Sequence, residues 1–384
     1  MTRRRIAIAL TTRGNYAKMK STMRAIAADP ALELATLVGG GIVQSRFGDY
    51  RPIIERDGFR IDAVIDFLVE DGATLAAQTE SAGRAVTTTG AAFGRLAPDI
   101  ALVIADRYEA VSIALAAACM NVPIAHLEGG EVSGSIDERF RHAITKLAHL
   151  HLPANDEAAE RIERMGETRE RIVVVGTPSL DLLAAVDLRD AGLVARAPGG
   201  SGDAIDWTGG YLVVSQHPVP TESESAASQI DETAAAVARI GLPTAWMLPN
   251  MDAGGDGVAR VLDALRARGI GAPLRFYPSL PLEPYAVLLH GARCLVGNSS
   301  SGIREGAFLG VPVVNVGSRQ HGRRRGRNVI DVANARDAIE AAIRQQLAHG
   351  RYASDPLYGD GHAGTKIAAA LKAMPLGLEK TIAY

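Results

Sequence analysis

Short apolar runs alternate with longer amphipathic stretches along most of the chain. In the first half RIAIAL (5–10), LELATLVGG (32–40), AVIDFL (63–68), IALVIAD (100–106) and IAHLEGG (124–130) are aliphatic runs of strand length. Between them MKSTMRAIAAD (19–29), RPIIERDGF (51–59), the long stretch 74–99 and EAVSIALAAACMNV (109–122) read as helices, and Pro98 and Pro123 stop the last two. Strands alternating with helices at this spacing predict right-handed βαβ units and a parallel sheet. The segment APGGSGDAIDWTGG (197–210), rich in Gly, Asp and Ser, reads as a loop or linker. Beyond it the pattern repeats. YLVVS, PTAWM, LRFYPSL, CLVGNSS and PVVNVG are strand-like, and the stretches between them, GIREGAFLG (302–310) included, are helical. The expected organisation is one doubly wound α/β domain over 1–185, a second over 205–363, and a C-terminal helix, GTKIAAALKAM, with its tail over 364–384. Open α/β sheets bind ligands beyond the carboxyl ends of their strands, so two such sheets predict a cleft between two domains.

Composition narrows the function classes. A chain of 384 residues exceeds one ordinary core, and 47% hydrophobic with 22% charged residues excludes a disordered chain. Lys+Arg number 41 against 43 Asp+Glu, a net charge of −2, which speaks against a dedicated nucleic-acid binder. Aromatics at 5% leave few stacking platforms for bases. Cys119 and Cys294 fit no metal or redox spacing and are expected as buried small hydrophobes in a reducing compartment. The apolar run near the N-terminus is too short for a signal segment and no run of 18 apolar residues exists, so a cytoplasmic location without a membrane partner is expected.

Candidate chemistry gathers where strands end. Asp106 and Arg107 follow the fourth strand; Asp there can equally cap the next helix. His126 and Glu128 follow the fifth, on one side of the strand end by alternation, among Gly129, Gly130 and Gly134. Asp137, Glu138, Arg141 and His142 open the next helix, where Asp137 and Arg141 can pair at i,i+4. So dense a set of ionisable groups among glycines favours a site over capping and surface pairing. His217 lies in VVSQHPVP, held extended by Pro218. GNSSSGIREGAFLG offers backbone N–H groups and the hydroxyls of Ser299 and Ser300 to phosphate oxygens, with Glu305 placed to accept from ribose hydroxyls. No Lys follows that loop, so it is not a Walker motif. Arg319 heads a basic run (319–327) that mostly reads as a solvated loop, and Arg13 follows the first strand as a possible phosphate partner.

HLEGGEVSGSIDERFRHAITKLAHLHLPAN (126–155), ADRYEAV, SQHPV, MLPNMDAG and GNSSSGIREGAFLGVPVVNVGSRQHGR together resemble the hydrolysing UDP-N-acetylglucosamine 2-epimerases of sialic acid biosynthesis, over nearly the whole chain. The resemblance implies a GT-B-like fold of two Rossmann-like domains: catalytic carboxylates and sugar on the N-terminal side, UDP on the C-terminal side. It implies a reaction without metal or other cofactor, in which UDP leaves by elimination to a 2-acetamidoglucal that water converts to N-acetylmannosamine. Carried over by motif, Asp106, Glu128, Asp137 and His217 are catalytic. Arg13, Arg107, His126, Arg141, His142, Asn250, Ser299, Ser300, Glu305 and Arg319 bind substrate. A homodimer or homotetramer is expected, with a UDP-sugar and UDP as ligands and no nucleic acid. Three departures lie on the sugar side: no histidine in VGGGIVQSRFG, Ala105 where the family has Gly, and TTRGNY in the first loop. They bear on the identity of the sugar, a diacetamido sugar being the alternative. A glycosyltransferase or a nucleotide-sugar sensor could share the fold, but neither needs so many acids and bases in one loop.

Overall fold

The computed structural model describes residues 3–383 apart from 45–48, 70–73, 105, 133–135, 250–254 and 279. The chain divides into two compact units, Met1–Asp181 with Gly359–Tyr384, and Leu182–Tyr358. Each is built on a parallel sheet whose inner strands are buried on both faces, which is why they read as unbroken apolar runs.

In the first unit β1 (Arg4–Leu10), β2 (Leu32–Gly39), β3 (Ala63–Ile65), β4 (Ile100–Ile104), β5 (Ile124–Leu127) and β6 (Leu150–Leu152) pair in the order β3-β2-β1-β4-β5-β6. One face carries the helices Arg13–Ala28 and Ala363–Ala373, packed through Met19, Met23, Ile26, Ile367 and Leu371. Each such buried side chain stabilises by about 1.5–3 kcal/mol. The other face carries the helices Leu75–Leu96 and Tyr108–Cys119 through Ala85, Phe93, Ile113 and Ala117. The Asp181 carboxylate accepts from the amides of Ala363 and Gly364 at 2.8 and 2.7 Å, capping the last helix onto this unit. Thus the 364–384 segment is part of the first unit rather than an appendage.

The second unit repeats the plan. β7 (Ser201–Gly202), β8 (Leu212–Ser215), β9 (Thr244–Met247), β10 (Leu274–Tyr277), β11 (Cys294–Gly297), β12 (Val313–Val316) and β13 (Val329–Val332) form a sheet ordered β13-β12-β11-β8-β9-β10-β7. Leaving out β7, the winding from β8 outward is that of the first sheet. β7 is antiparallel to β10, and the Asp203 carboxylate accepts from the Leu274 amide at 3.0 Å. The 197–210 segment read as a linker is therefore tied to the edge of this sheet. Cys294 is buried as expected, but Cys119 is exposed because it sits on the outer face of the last turn of its helix. Among the described residues no helix is long and apolar enough to cross a membrane.

Candidate active site

In each sheet the strand order reverses at one point, between β1 and β4 and between β8 and β11. Beyond the carboxyl ends of strands at such a point the following loops diverge and leave room for a ligand. Both sets of candidate residues lie there.

In the first unit β4 and β5 run parallel with Ile104 opposite Leu127, so Asp106 and Glu128 leave adjacent strand ends. Asp106 does not cap the helix that follows. The N-cap position is Arg107, with no side-chain cap, and the Asp106 carboxylate pairs instead with the fully buried Arg141 guanidinium. Arg141 also donates to the Glu131 carbonyl, which anchors the helix Ile136–Leu147 to the β4 end. Glu128 is buried and adopts φ 62°, a left-handed conformation costly for a residue with a side chain. Strand alternation therefore stops at Leu127, and the expected same-side placement of His126 and Glu128 does not hold. The Glu128 carboxylate accepts from Lys18 Nζ at 3.0 Å and from the Thr177 hydroxyl at 2.5 Å. His126 is fully buried, its Nδ1 3.2 Å from the Thr145 hydroxyl. Gly130 has φ 77°, and a Cβ there would lie 2.2 Å from the Ala158 carbonyl oxygen, so only glycine closes this loop. Asp137 is half-buried on the first turn of the Ile136–Leu147 helix, and its charge acts on Arg107, which is paired with Glu109 at 3.1 Å. His142 lies 3.5 Å from Glu138. Arg13 opens the helix after β1, exposed, its guanidinium 5.3 Å from the centre of the Tyr50 ring.

In the second unit the hub is Asn298, directly after β11. Its side-chain oxygen accepts from the His217 amide at 2.7 Å and its side-chain nitrogen donates to the His217 carbonyl at 2.8 Å, so one buried amide clamps the loop after β8. The Asn298 backbone carbonyl accepts from Arg319 at 3.1 Å and from Gln320 at 2.8 Å, which fixes the loop after β12. Gly297, at φ 130°, allows the close crossing, since a Cβ there would lie 2.2 Å from the Ser215 carbonyl oxygen. Burial, and then the charge of Arg319, push the His217 imidazole down to about 4. Among the described residues no carboxylate pairs with Arg319, so the positive charge beside His217 is uncompensated and suited to an anion. Ser299 caps a helix and meets Ser301 at 2.9 Å, and Ser301 meets the Tyr285 hydroxyl at 2.6 Å. The single helix expected over GIREGAFLG is two short pieces, Ser300–Ile303 and Glu305–Leu309, broken at Arg304. Ser300 and Glu305 open these pieces, each half-buried. Asn250 lies outside the described residues.

The structure thus joins Asp106 to Arg141, and His217 to Arg319 through Asn298. Sequence reasoning missed Lys18, Thr177 and Asn298. The Gly-Thr-Pro turn after RIVVV marks Thr177 as a loop residue at a strand-like end, and the Asn after CLVG sits where a buried strand must find loop partners. Lys18 carries no comparable signal, because a lysine on an exposed helix turn is ordinary.

The family model for UDP-N-acetylglucosamine 2-epimerase matches residues 24–372, nine-tenths of the chain. The chain belongs to that family. A UDP-N,N'-diacetylbacillosamine 2-epimerase (hydrolyzing) of Legionella pneumophila is 31% identical over 374 residues, covering 97% of both chains. A UDP-N-acetylglucosamine 2-epimerase of Neisseria meningitidis serogroup B is 30% identical over 365 residues, covering 94% of this chain and 92% of its own. In structure, a UDP-GlcNAc 2-epimerase from Neisseria meningitidis bound to UDP-GlcNAc superposes with a TM-score of 0.77 at 13% identity, covering 96% of this chain and 99% of the other. That likeness establishes the fold, two parallel α/β sheets of GT-B-like type.

Proposed function

We propose that this family member is a hydrolysing epimerase that converts UDP-N-acetylglucosamine and water to UDP and N-acetylmannosamine. The observation that carries the reading is the first unit's carboxylate set, with Asp106 and Glu128 each paired to a cation and Asp137 on the first turn of the helix whose Arg141 holds Asp106. Elimination across C1–C2 needs a base for the weakly acidic C2 hydrogen and a stabilised leaving group. In the proposed course a carboxylate, Glu128 or Asp137, takes the C2 proton. The C2–H electrons form the C1=C2 bond, and the C1–O bond breaks with its electrons leaving on UDP. Water then adds its oxygen to C1 of the 2-acetamidoglucal and gives up one proton to a carboxylate, while an acid, with Asp106 assisting, delivers a proton to the opposite face of C2. Lys18 and Thr177 hold the Glu128 carboxylate in place. On the second unit Arg319, His217 and the Ser299–Ser300 loop offset charge growing on the diphosphate, and Arg13 of the first unit adds a further cation. Arg107, His126, Arg141, His142, Asn250 and Glu305 orient substrate or the groups that touch it.

A second reading, a diacetamido UDP-sugar as substrate, is supported by the 31% identity with the Legionella pneumophila relative and by the three sugar-side departures in sequence. Product analysis tests both. The expected result is release of free sugar and UDP in equal amounts, from UDP-N-acetylglucosamine or from UDP-N,N'-diacetylbacillosamine. Positioned acid–base groups contribute about 10²–10⁴ in rate, so Glu128→Gln should release UDP about 100-fold more slowly or worse. A UDP-linked epimer as sole product, or undiminished turnover by Glu128→Gln, would overturn the assignment.

A further inference from the structure

Lys380 is far along the chain from the carboxylate loop, yet its side chain ends on the helix that leads out of that loop. Its ammonium, largely buried, donates to the carbonyl of Thr145 at 3.1 Å and to that of Ala148, and pairs with Glu167 at 2.7 Å. Thr145 and Ala148 lie at the C-terminal end of the Ile136–Leu147 helix, where the last carbonyls have no partners within the helix and the dipole favours a cation. Glu167 also accepts from Lys146 of the same helix at 2.5 Å and from His151 of β6 at 3.0 Å. This clasp therefore ties the helix end to the strand beside β5.

Thr145 is the link to the site. Its carbonyl accepts from Lys380, while its hydroxyl donates to the Arg141 carbonyl at 3.1 Å and lies 3.2 Å from His126 Nδ1. Arg141 in turn holds Asp106. The segment that carries Lys380 is not held by apolar burial, because Leu376, Leu378 and Ile382 are 41%, 45% and 53% exposed. It is laid down by polar contacts, with the Ala383 amide on the Gly166 carbonyl at 2.9 Å and Arg171 on the Glu379 carbonyl at 3.2 Å. A segment whose apolar side chains stay about half exposed adds little to the core, so the specific contacts of Lys380 need another account.

We propose that Lys380 is a positioning residue for the reaction. By fixing the C-terminal end of the Ile136–Leu147 helix it sets Asp137, Arg141 and His142 against the ends of β4 and β5. This rests on the functional reading above for the chemistry of those groups.

The test compares the full chain with Lys380→Ala and Lys380→Arg, measuring UDP release and amide hydrogen exchange over 136–148. Small misplacements of catalytic groups cost up to about 10²-fold, so Lys380→Ala should lower kcat about ten- to a hundredfold. KM should change less than kcat, since most of the groups proposed to hold the diphosphate are on the other unit. Exchange should quicken in 136–148 while β1, β4 and the second unit keep their protection, and Lys380→Arg should restore most of both. If Lys380→Ala does not fold, Lys380→Gln should show the same pattern more weakly. Unchanged kcat, unchanged exchange in 136–148, or a loss that Lys380→Arg does not mend would overturn the proposal. A wild-type chain inactive toward every acetamido UDP-sugar would instead sink the functional reading, and the exchange comparison would still decide whether Lys380 fixes the helix.

Discussion

Glu128 combines two costs: a left-handed backbone and a buried carboxyl group. The left-handed conformation alone costs on the order of 1–3 kcal/mol in a residue with a side chain. Lys18 and Thr177 offset the burial of the carboxyl group, which the left-handed backbone brings to them. His217 shows the opposite economy. Burial and Arg319 hold its imidazole near 4, below the usual 6.5, so it is neutral at pH 7 in the free chain. In the proposed reaction it would donate a hydrogen bond to the diphosphate rather than a proton. A diphosphate brings negative charge and should raise the value. NMR titration of His217 is therefore expected to show an inflection near 4 in the free chain and a higher one with UDP. An inflection at 6.5 without ligand would contradict this placement. The sign for stability is equally fixed: the neutral imidazole stabilises fully above 6.5, and that contribution is lost as pH falls toward 4.

At the scale of elements, the clasp on the Ile136–Leu147 helix also stabilises the fold. Burial alone would raise the Glu167 carboxyl, but hydrogen bonds from His151, Lys146 and Lys380 outweigh it and hold it at about 2. Against the ordinary 4.5 this is worth about 3 kcal/mol, present above 4.5 and lost as pH falls through 2. Glu167→Gln should therefore lower unfolding free energy by about that much at pH 7, with the gap to wild type narrowing steadily below pH 4.5. Equal denaturation midpoints at pH 7 would contradict the clasp. The strands β1, β2, β3, β4, β5, β8, β9, β10, β11 and β12 were legible in sequence because each is a largely apolar run bounded by turn residues. β6 and β13 were not: LHL is three residues with a histidine at its centre, and VIDV is only partly buried. The same physics explains the site. Charged residues at strand ends stood out, but the partners that fix them, Lys18, Thr177 and Asn298, are ordinary in type and become informative only through what they touch.

For the whole molecule, two sheets with the same winding each place polar groups at the point where strand order reverses. The division of chemistry is the account's central claim: carboxylates of the first unit move the C2 proton, and cations of the second receive the leaving diphosphate. The most direct test is proton NMR of the reaction in D₂O, with UDP-N-acetylglucosamine and UDP-N,N'-diacetylbacillosamine as parallel substrates. The account predicts UDP release with deuterium at C2 of the inverted free sugar, because the proton removed there is replaced from solvent. Free sugar that retains its original C2 hydrogen would contradict it.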